Sequence, residues 1–179
     1  MKNLKKILIP AITLLLISTS VQSSESTADI IARAESAAPS QISKNATIYG
    51  IDGQTVLRKG TNGWYCTPGV YILPDDKHPM CNDGVWQKAM QAMANGSDFS
   101  TDRIGISYML KGDAHVSNSN PAATDPNNGD VWVQEGPHLM IVVPKEQLIG
   151  VSRDPYNGGP YVMWENTPYA HIMAPIVNK

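Results

Sequence analysis

The chain contains only two cysteines, Cys66 and Cys81, and residues 67–80 lie between them. Two thiols in a small exported domain usually form a disulfide, because exported proteins mature in an oxidising compartment. Closing a loop of this length contributes about 3 kcal/mol to stability by restricting the unfolded chain. A redox or metal-binding thiol pair is the alternative, and the lack of Cys-x-x-Cys spacing weighs against it. The sequence therefore predicts one disulfide within a single fold.

The first 23 residues have the pattern of a secretory signal peptide. Lys2, Lys5 and Lys6 precede an apolar run over residues 7–17, and small residues follow at 18–23. The run is too short to cross a bilayer, which needs roughly 20 apolar residues. We therefore expect an exported protein, periplasmic or secreted, with no membrane span in its mature chain.

Removing the signal peptide leaves 156 of the 179 residues and takes the formal charge from −2 to −5. A chain of this length is enough for one domain with a sizeable core. A mildly acidic surface gives no electrostatic attraction to nucleic acid, so we expect none as a partner. We divide the chain into a signal peptide (1–23), an N-terminal arm or short helix (24–44) and one globular domain (45–179).

Hydrophobic periodicity predicts two helices. The first covers residues 27–38 and ends before Pro39. The second is capped by Asn82 or Asp83 and ends at Asn95-Gly96. Four of its residues follow i, i+3, i+4 and i+7 spacing and predict a core face: Trp86, Ala89, Met90 and Met93.

Short segments with β-type composition fill most of the remaining chain. Strand patterns occur at residues 104–110, 131–133, 138–143, 161–164 and 169–172, and a hairpin pattern covers 46–59. Residues 112–130 have the composition of a long polar loop. Because strands dominate without regular βαβ alternation, we predict an α+β fold: a mainly antiparallel sheet with one or two packed helices.

Two matching tripeptides are the most informative functional feature. His138-Leu139-Met140 and His171-Ile172-Met173 each place histidine and methionine at positions i and i+2. In a strand these positions face the same side, so each segment presents an imidazole next to a thioether. If the two strands were neighbours, His138, Met140, His171 and Met173 could form a metal site. Soft thioether and borderline imidazole ligands favour copper, although another metal ion is compatible with the set.

The same residues also allow an ordinary structural interpretation. Residues 138–143 are apolar on both faces, which is typical of a buried central strand. Methionine often fills irregular cores, and a buried histidine can remain neutral and donate to a carbonyl group. Two interpretations of these histidines and methionines therefore remain: ordinary core packing and a ligand site.

Three functional hypotheses follow from these residues. The first is an exported binding module for a small molecule or a metal ion, with a pocket near His138, His171, Trp164 and Tyr169. The second is a hydrolase that uses one of these histidines with Asp113 or Glu165, although the chain has no familiar catalytic motif. The third is a structural or interaction protein without a chemical site. Whether the chain is an enzyme stays open, and the missing motif favours a non-enzymatic role.

Several short motifs resemble those of a family of uncharacterised exported bacterial proteins. They are Gly-Thr-Asn-Gly-Trp-Tyr-Cys at 60–66, Pro-Met-Cys at 79–81, Tyr-Met-Leu at 108–110, Pro-His-Leu-Met at 137–140, and Met-Trp through Thr-Pro-Tyr-Ala-His across 163–171. The resemblance covers residues 28–176. It implies a bacterial, periplasmic setting and carries no activity, so it transfers no catalytic residues.

Overall fold

The computed structural model describes residues 25–127 and 129–177 of the chain. The predicted signal peptide over residues 1–23 lies outside the described residues. Within the described ranges the fold is α+β, as predicted, with a mainly antiparallel sheet and one disulfide between Cys66 and Cys81. None of the helices in these ranges is long and apolar enough to cross a membrane.

The helices are α1 (Thr27–Glu35), α2 (Ser40–Ser43) and α3 (Gly84–Ala94), together with a 3-10 helix over Lys145–Leu148. The strands are β1 (Thr47–Tyr49), β2 (Val56–Arg58), β3 (Tyr65–Thr67), β4 (Met80–Asn82), β5 (Gly105–Met109), β6 (Val116–Ser117), β7 (Trp132–Val133), β8 (His138–Val142), β9 (Tyr161–Met163) and β10 (His171–Pro175). Eight strands of the described chain form one sheet in the order β2-β1-β3-β4-β5-β8-β10-β9, while β6 and β7 pair separately.

All neighbours in the large sheet are antiparallel except β1 and β3, which are parallel. The predicted hairpin around Asp52-Gly53 is confirmed, because β1 pairs with β2 and the Asp52 carboxylate accepts the Thr55 N–H at 2.8 Å. The strand patterns predicted at 161–164 and 169–172 correspond to β9 and β10, which pair antiparallel. The prediction for residues 112–130 missed strand β6, whose two residues gave too little periodicity to be recognised.

Helix α3 begins where the sequence predicts. The Asp83 carboxylate caps it by accepting the N–H groups of Val85 and Trp86, and its second oxygen accepts the Ile106 N–H of β5 at 2.8 Å. One side chain therefore both starts the helix and attaches it to the sheet. Trp86, Ala89 and Met90 are buried against the strands, as their spacing predicts.

Helix α1 ends earlier than predicted, at Glu35, with Ser36 as its C-cap. Its buried Ala34 packs with Ala37, Ile48 and the two cysteines on one side of the sheet. The segment 24–44 therefore contains a helix that joins the core, and small side chains let it approach the strands closely.

The two sides of the sheet have different compositions. The α1 face, under helix α1, consists of Ala34, Ala37, Ala38, Ala46, Ile48, Cys66 and Cys81. The α3 face, under helix α3, consists of Met80, Trp86, Ala89, Met90, Met109, Val133, Met140, Val142, Tyr161, Met163 and Met173. Both predicted histidines lie on strands that contribute to the α3 face.

Candidate metal centre

The strands that carry the two histidines are neighbours. Strands β8 and β10 pair antiparallel, and Met140 is directly opposite Met173. Because alternate residues share a face, His138 and His171 point to the same side as this methionine pair. Both histidines are completely buried. The structure thus brings the two His-x-Met tripeptides together on the α3 face.

The register keeps the two histidines at opposite ends of the paired segment. His138 is opposite Pro175, which lies four residues after His171 on β10. Four residues of a strand span about 13 Å. The Cα atoms of the two histidines are therefore about 13 Å apart, so a metal ion held by both imidazoles would need both side chains extended towards each other.

Each imidazole is held by the carbonyl group two residues before it. His138 Nδ1 lies 2.7 Å from the Gly136 carbonyl oxygen, and His171 Nδ1 lies 2.9 Å from that of Tyr169. A carbonyl oxygen only accepts, so Nδ1 carries the proton and donates in both rings. The Nε2 atom then carries a lone pair. In both histidines Nε2 is buried and has no hydrogen-bond partner among the described residues.

Burial keeps both rings neutral. The pKa of His171 is lowered to about 4, mainly by burial and also by the nearby His138, against the opposing effect of the Tyr169 carbonyl group. Burial also lowers the pKa of His138, against the opposing effects of the Gly136 carbonyl group and the Glu135 carboxylate. A neutral imidazole with Nδ1 bound to a carbonyl group is the form of histidine that ligates metals through Nε2.

Two indole rings enclose His171. Trp86 of α3 and Trp164 after β9 each lie edge-on to the imidazole, with ring centroids 5.0 Å away. Trp164 has a φ of +55°, a conformation that is strained for a bulky residue. Its indole N–H donates to the Ser117 carbonyl oxygen at 2.9 Å, which fixes the ring. Trp164 therefore lies in the predicted pocket region.

Tyr169 contributes to this region mainly through its backbone, because its carbonyl oxygen holds the His171 ring. Its hydroxyl group donates to the Ser97 carbonyl oxygen at 2.7 Å, so the side chain connects β10 to the segment after α3. Of the two predicted aromatic residues, only Trp164 presents its ring to a histidine in this structure.

A cavity of about 40 Å³ lies between α3 and the sheet. Six of the eight methionines line it, with two tryptophans, five aliphatic or proline side chains and one carboxylate. The lining residues are Met80, Met90, Met93, Met109, Met140, Met163, Trp86, Trp164, Val70, Ile72, Leu73, Val116, Pro121 and Asp113. Neither histidine lines the cavity: Met109 and Met140 of the wall are neighbours of His138 in the sheet, and Trp86 and Trp164 of the wall contact the His171 ring.

The environment of Asp113 differs from the one that the sequence predicts. Its position in a polar loop predicts a solvated side chain, yet only 8% of the residue is exposed. The net increase in the pKa of Asp113, to about 7, comes mainly from burial, and the charges of Asp76 and Glu135 contribute to it. The Ala114 N–H, which donates to Asp113 at 2.7 Å, and the nearby His78 oppose it. Asp113 is the acidic residue in the cavity wall.

Glu135 is a buried residue that sequence analysis missed. It accepts a hydrogen bond of 2.9 Å from the Tyr161 hydroxyl group, and burial together with this contact raises the pKa of Tyr161. The signal was weak, because a single glutamate before Gly136-Pro137 has the appearance of a turn residue.

The two carboxylates predicted as hydrolase partners lie in different places. Glu165 forms an ion pair with Arg153 at 2.8 Å, and 43% of its side chain is exposed. Asp113 lies in the cavity wall, and the charges that affect its pKa are those of Asp76, His78 and Glu135. No contact between either carboxylate and a histidine of the pair occurs among the hydrogen bonds of the described residues.

Within residues 25–127 and 129–177, no group of three or more His, Cys, Asp or Glu side chains is arranged to hold a metal ion. Comparison with family models, curated proteins and solved structures gave no match to this chain. The site must therefore be interpreted from its own chemistry.

Proposed function

We propose that this protein is an exported binding module that holds a soft metal ion, copper in the +1 state, in the methionine-lined cavity. One observation carries the proposal: six thioethers surround about 40 Å³ of empty space, next to two imidazoles whose Nε2 lone pairs have no partner among the described residues. The proposal keeps the predicted region around His138 and His171 and extends it to the methionines of neighbouring strands.

The size of the cavity favours an ion over an organic molecule. Pockets for small organic ligands usually measure about 300–1,000 Å³. A cavity needs only about 10–15 Å³ to hold a water molecule. The 40 Å³ between α3 and the sheet is therefore suited to an ion and too small for an organic ligand.

The donor atoms favour a soft ion. Thioethers select Cu(I), whereas carboxylates and water suit hard cations, and imidazole is compatible with copper. The apolar wall disfavours a doubly charged ion, because burial of charge without compensation is costly. Asp113, the acidic residue of the wall, can balance a single positive charge once it has lost its proton, which burial retains up to a pKa of about 7.

The compartment is part of the proposal. We place the protein in the periplasm or outside the cell, because residues 1–23 have a signal-peptide pattern and the Cys66–Cys81 disulfide persists in oxidising surroundings.

Anaerobic titration with Cu(I) tests this function. The purified protein competes with a chromogenic Cu(I) chelator, and Zn(II) provides the comparison ion. We expect Cu(I) to be withdrawn from the chelator and Zn(II) to remain unbound. Met140→Leu should weaken Cu(I) binding at least tenfold, because leucine nearly preserves the volume and removes the sulfur. Ile48→Leu on the α1 face is the matched control and should have no effect.

A methionine-rich core without a metal function gives the opposite result. Methionine also serves as a flexible filler, and the wild-type protein would then leave Cu(I) on the chelator. That outcome would favour a structural or interaction protein. Equal binding by wild type and Met140→Leu would show that copper binds outside the cavity.

A further inference from the structure

The register sets a methionine directly beside each buried histidine. Met109 on β5 is opposite His138 on β8, and Met163 on β9 is opposite His171 on β10. Directly opposed residues of antiparallel strands have Cβ atoms about 4.5–5.5 Å apart. Each imidazole therefore has a thioether within side-chain reach on a neighbouring strand.

A second thioether comes from the strand of each histidine. Met140 follows His138 by two residues, and Met173 follows His171 by two residues, so each pair shares a face. Met140 and Met173 are also directly opposed. They form the middle of the arrangement, with one histidine towards each end.

We infer that the soft-metal site consists of two half-sites, one on each side of the Met140–Met173 pair. The first half-site is His138, Met109 and Met140, and the second half-site is His171, Met163 and Met173. This inference rests on the proposed function and specifies its stoichiometry, two ions per chain. Each half-site offers one imidazole nitrogen and two thioether sulfurs, a soft donor set that suits Cu(I) and Ag(I).

Two observations favour two half-sites over one shared site. The Cα atoms of the two histidines are four residues apart in register, about 13 Å, whereas each histidine has one methionine directly opposite and another two residues further along its own strand. Both rings also have the same orientation, with Nδ1 bound to the carbonyl group two residues earlier and a buried, unpartnered Nε2. The geometry is thus repeated on the two strands.

The half-sites differ in their aromatic surroundings, which provides a way to tell them apart. Trp86 and Trp164 lie 5.0 Å from the ring of His171. The ring contacts of the described residues include none to His138. A heavy ion bound in the second half-site should therefore quench tryptophan fluorescence more strongly than an ion in the first.

Titration with Ag(I), which has the donor preference of Cu(I) and no redox chemistry here, tests the inference. Native mass spectrometry counts the bound ions, while tryptophan fluorescence follows the second half-site. We expect two Ag(I) ions per wild-type chain and one in each of the matched variants Met109→Leu and Met163→Leu. Quenching should persist in Met109→Leu and fall at least threefold in Met163→Leu.

The variants His138→Phe and His171→Phe repeat the comparison at the histidines, and urea unfolding verifies that every variant is folded. The Met→Leu pair nearly conserves packing and keeps the test decisive if a histidine variant fails to fold. A wild-type stoichiometry of one, abolished by both Met→Leu variants, would overturn the half-sites and leave the proposed function intact. Two bound ions in both variants would also overturn them. No Ag(I) binding to wild type would remove the proposed function itself.

Discussion

The two faces of the central sheet differ in their side-chain composition. The α1 face joins alanines and the Cys66–Cys81 disulfide into a close contact between helix and strands. The α3 face contains long methionines, a cavity and buried polar atoms that have no partner in the described part of the chain, including Nε2 of His138 and His171. Unpaired buried polar atoms cost about 1–3 kcal/mol each. The difference indicates that the α1 face serves stability, whereas the α3 face carries a cost that a bound ion could offset.

The largest expected change in the free energy of unfolding comes from Asp113 on the α3 face. Its pKa is raised from 3.8 to about 7, so between these pH values the folded protein holds a proton that the unfolded chain has lost. Stability therefore decreases as pH rises through this window, by about 4 kcal/mol at 1.36 kcal/mol per pKa unit. We expect Asp113→Asn to recover about this amount at pH 8 and almost none at pH 4.

Urea unfolding of wild type and Asp113→Asn across this pH range measures the difference. The charged neighbours Asp76, His78 and Glu135 remain in both proteins, so their contributions largely cancel. Equal stability at pH 8 would contradict the cost assigned to this carboxylate.

The next largest change in the free energy of unfolding comes from the titration of His171. Its pKa falls from 6.5 to about 4 on folding, so between these values the unfolded chain binds a proton that the folded protein excludes. Stability from this group is complete above pH 6.5 and is lost as pH falls towards 4, by about 3 kcal/mol. Because Asp113 titrates with the opposite sign, the measurement belongs in the Asp113→Asn background.

In that background, the unfolding free energy should decrease between pH 6.5 and 4, and His171→Phe should remove most of this slope. His138 adds a slope of the same sign, because its pKa is also lowered by burial. An unchanged slope in His171→Phe would show that His171 does not stay neutral in the folded protein.

Removing the disulfide tests the α1 face. Cys66 and Cys81 are 15 positions apart. A double change of both cysteines to alanine should destabilise the protein by about 3 kcal/mol, because the unfolded chain gains freedom. Urea unfolding measures the loss. We expect Ag(I) binding to be retained under conditions where the variant is folded, and loss of binding by the folded variant would contradict the division between the faces.

The smallest expected effects come from two substitutions that compare the packing of the α1 face with that of the α3 face. Ala34→Leu on the α1 face should cost about 1–3 kcal/mol, because a close contact leaves no room for added carbons. Met90→Leu on the α3 face conserves volume and should cost less than about 1.5 kcal/mol. Thermal unfolding of both variants measures the contrast. Similar losses would show that the two faces are packed with equal tightness.

Much of the fold could be predicted from local patterns. The spacing of Trp86, Ala89 and Met90 identified helix α3, and Asp52-Gly53 identified the first hairpin. Strand β6 was missed because its two residues lie in a segment of polar-loop composition, whereas β7, equally short, was predicted from its apolar residues. Helix α1 ends at Glu35 although the apolar spacing continues. Such short strands and helix ends depend on their partners in the fold.

The candidate site was only partly predictable. The two His-x-Met tripeptides are visible in the sequence, but Met109 and Met163 become their neighbours only through strand pairing. Asp113 illustrates the same limit, since its loop composition predicts exposure and the packing of the loop buries it.

The sequence by itself determined the donor chemistry: which side chains are soft, which positions alternate along a strand, and which two thiols can pair. Those properties are local, so the order of residues is enough to specify them. Only the tertiary structure decided that β8 and β10 are adjacent, that their register sets the Cα atoms of His138 and His171 about 13 Å apart, and that six methionines line one cavity. Strand order and register depend on contacts between distant segments, and a one-residue shift would turn every second side chain to the opposite face.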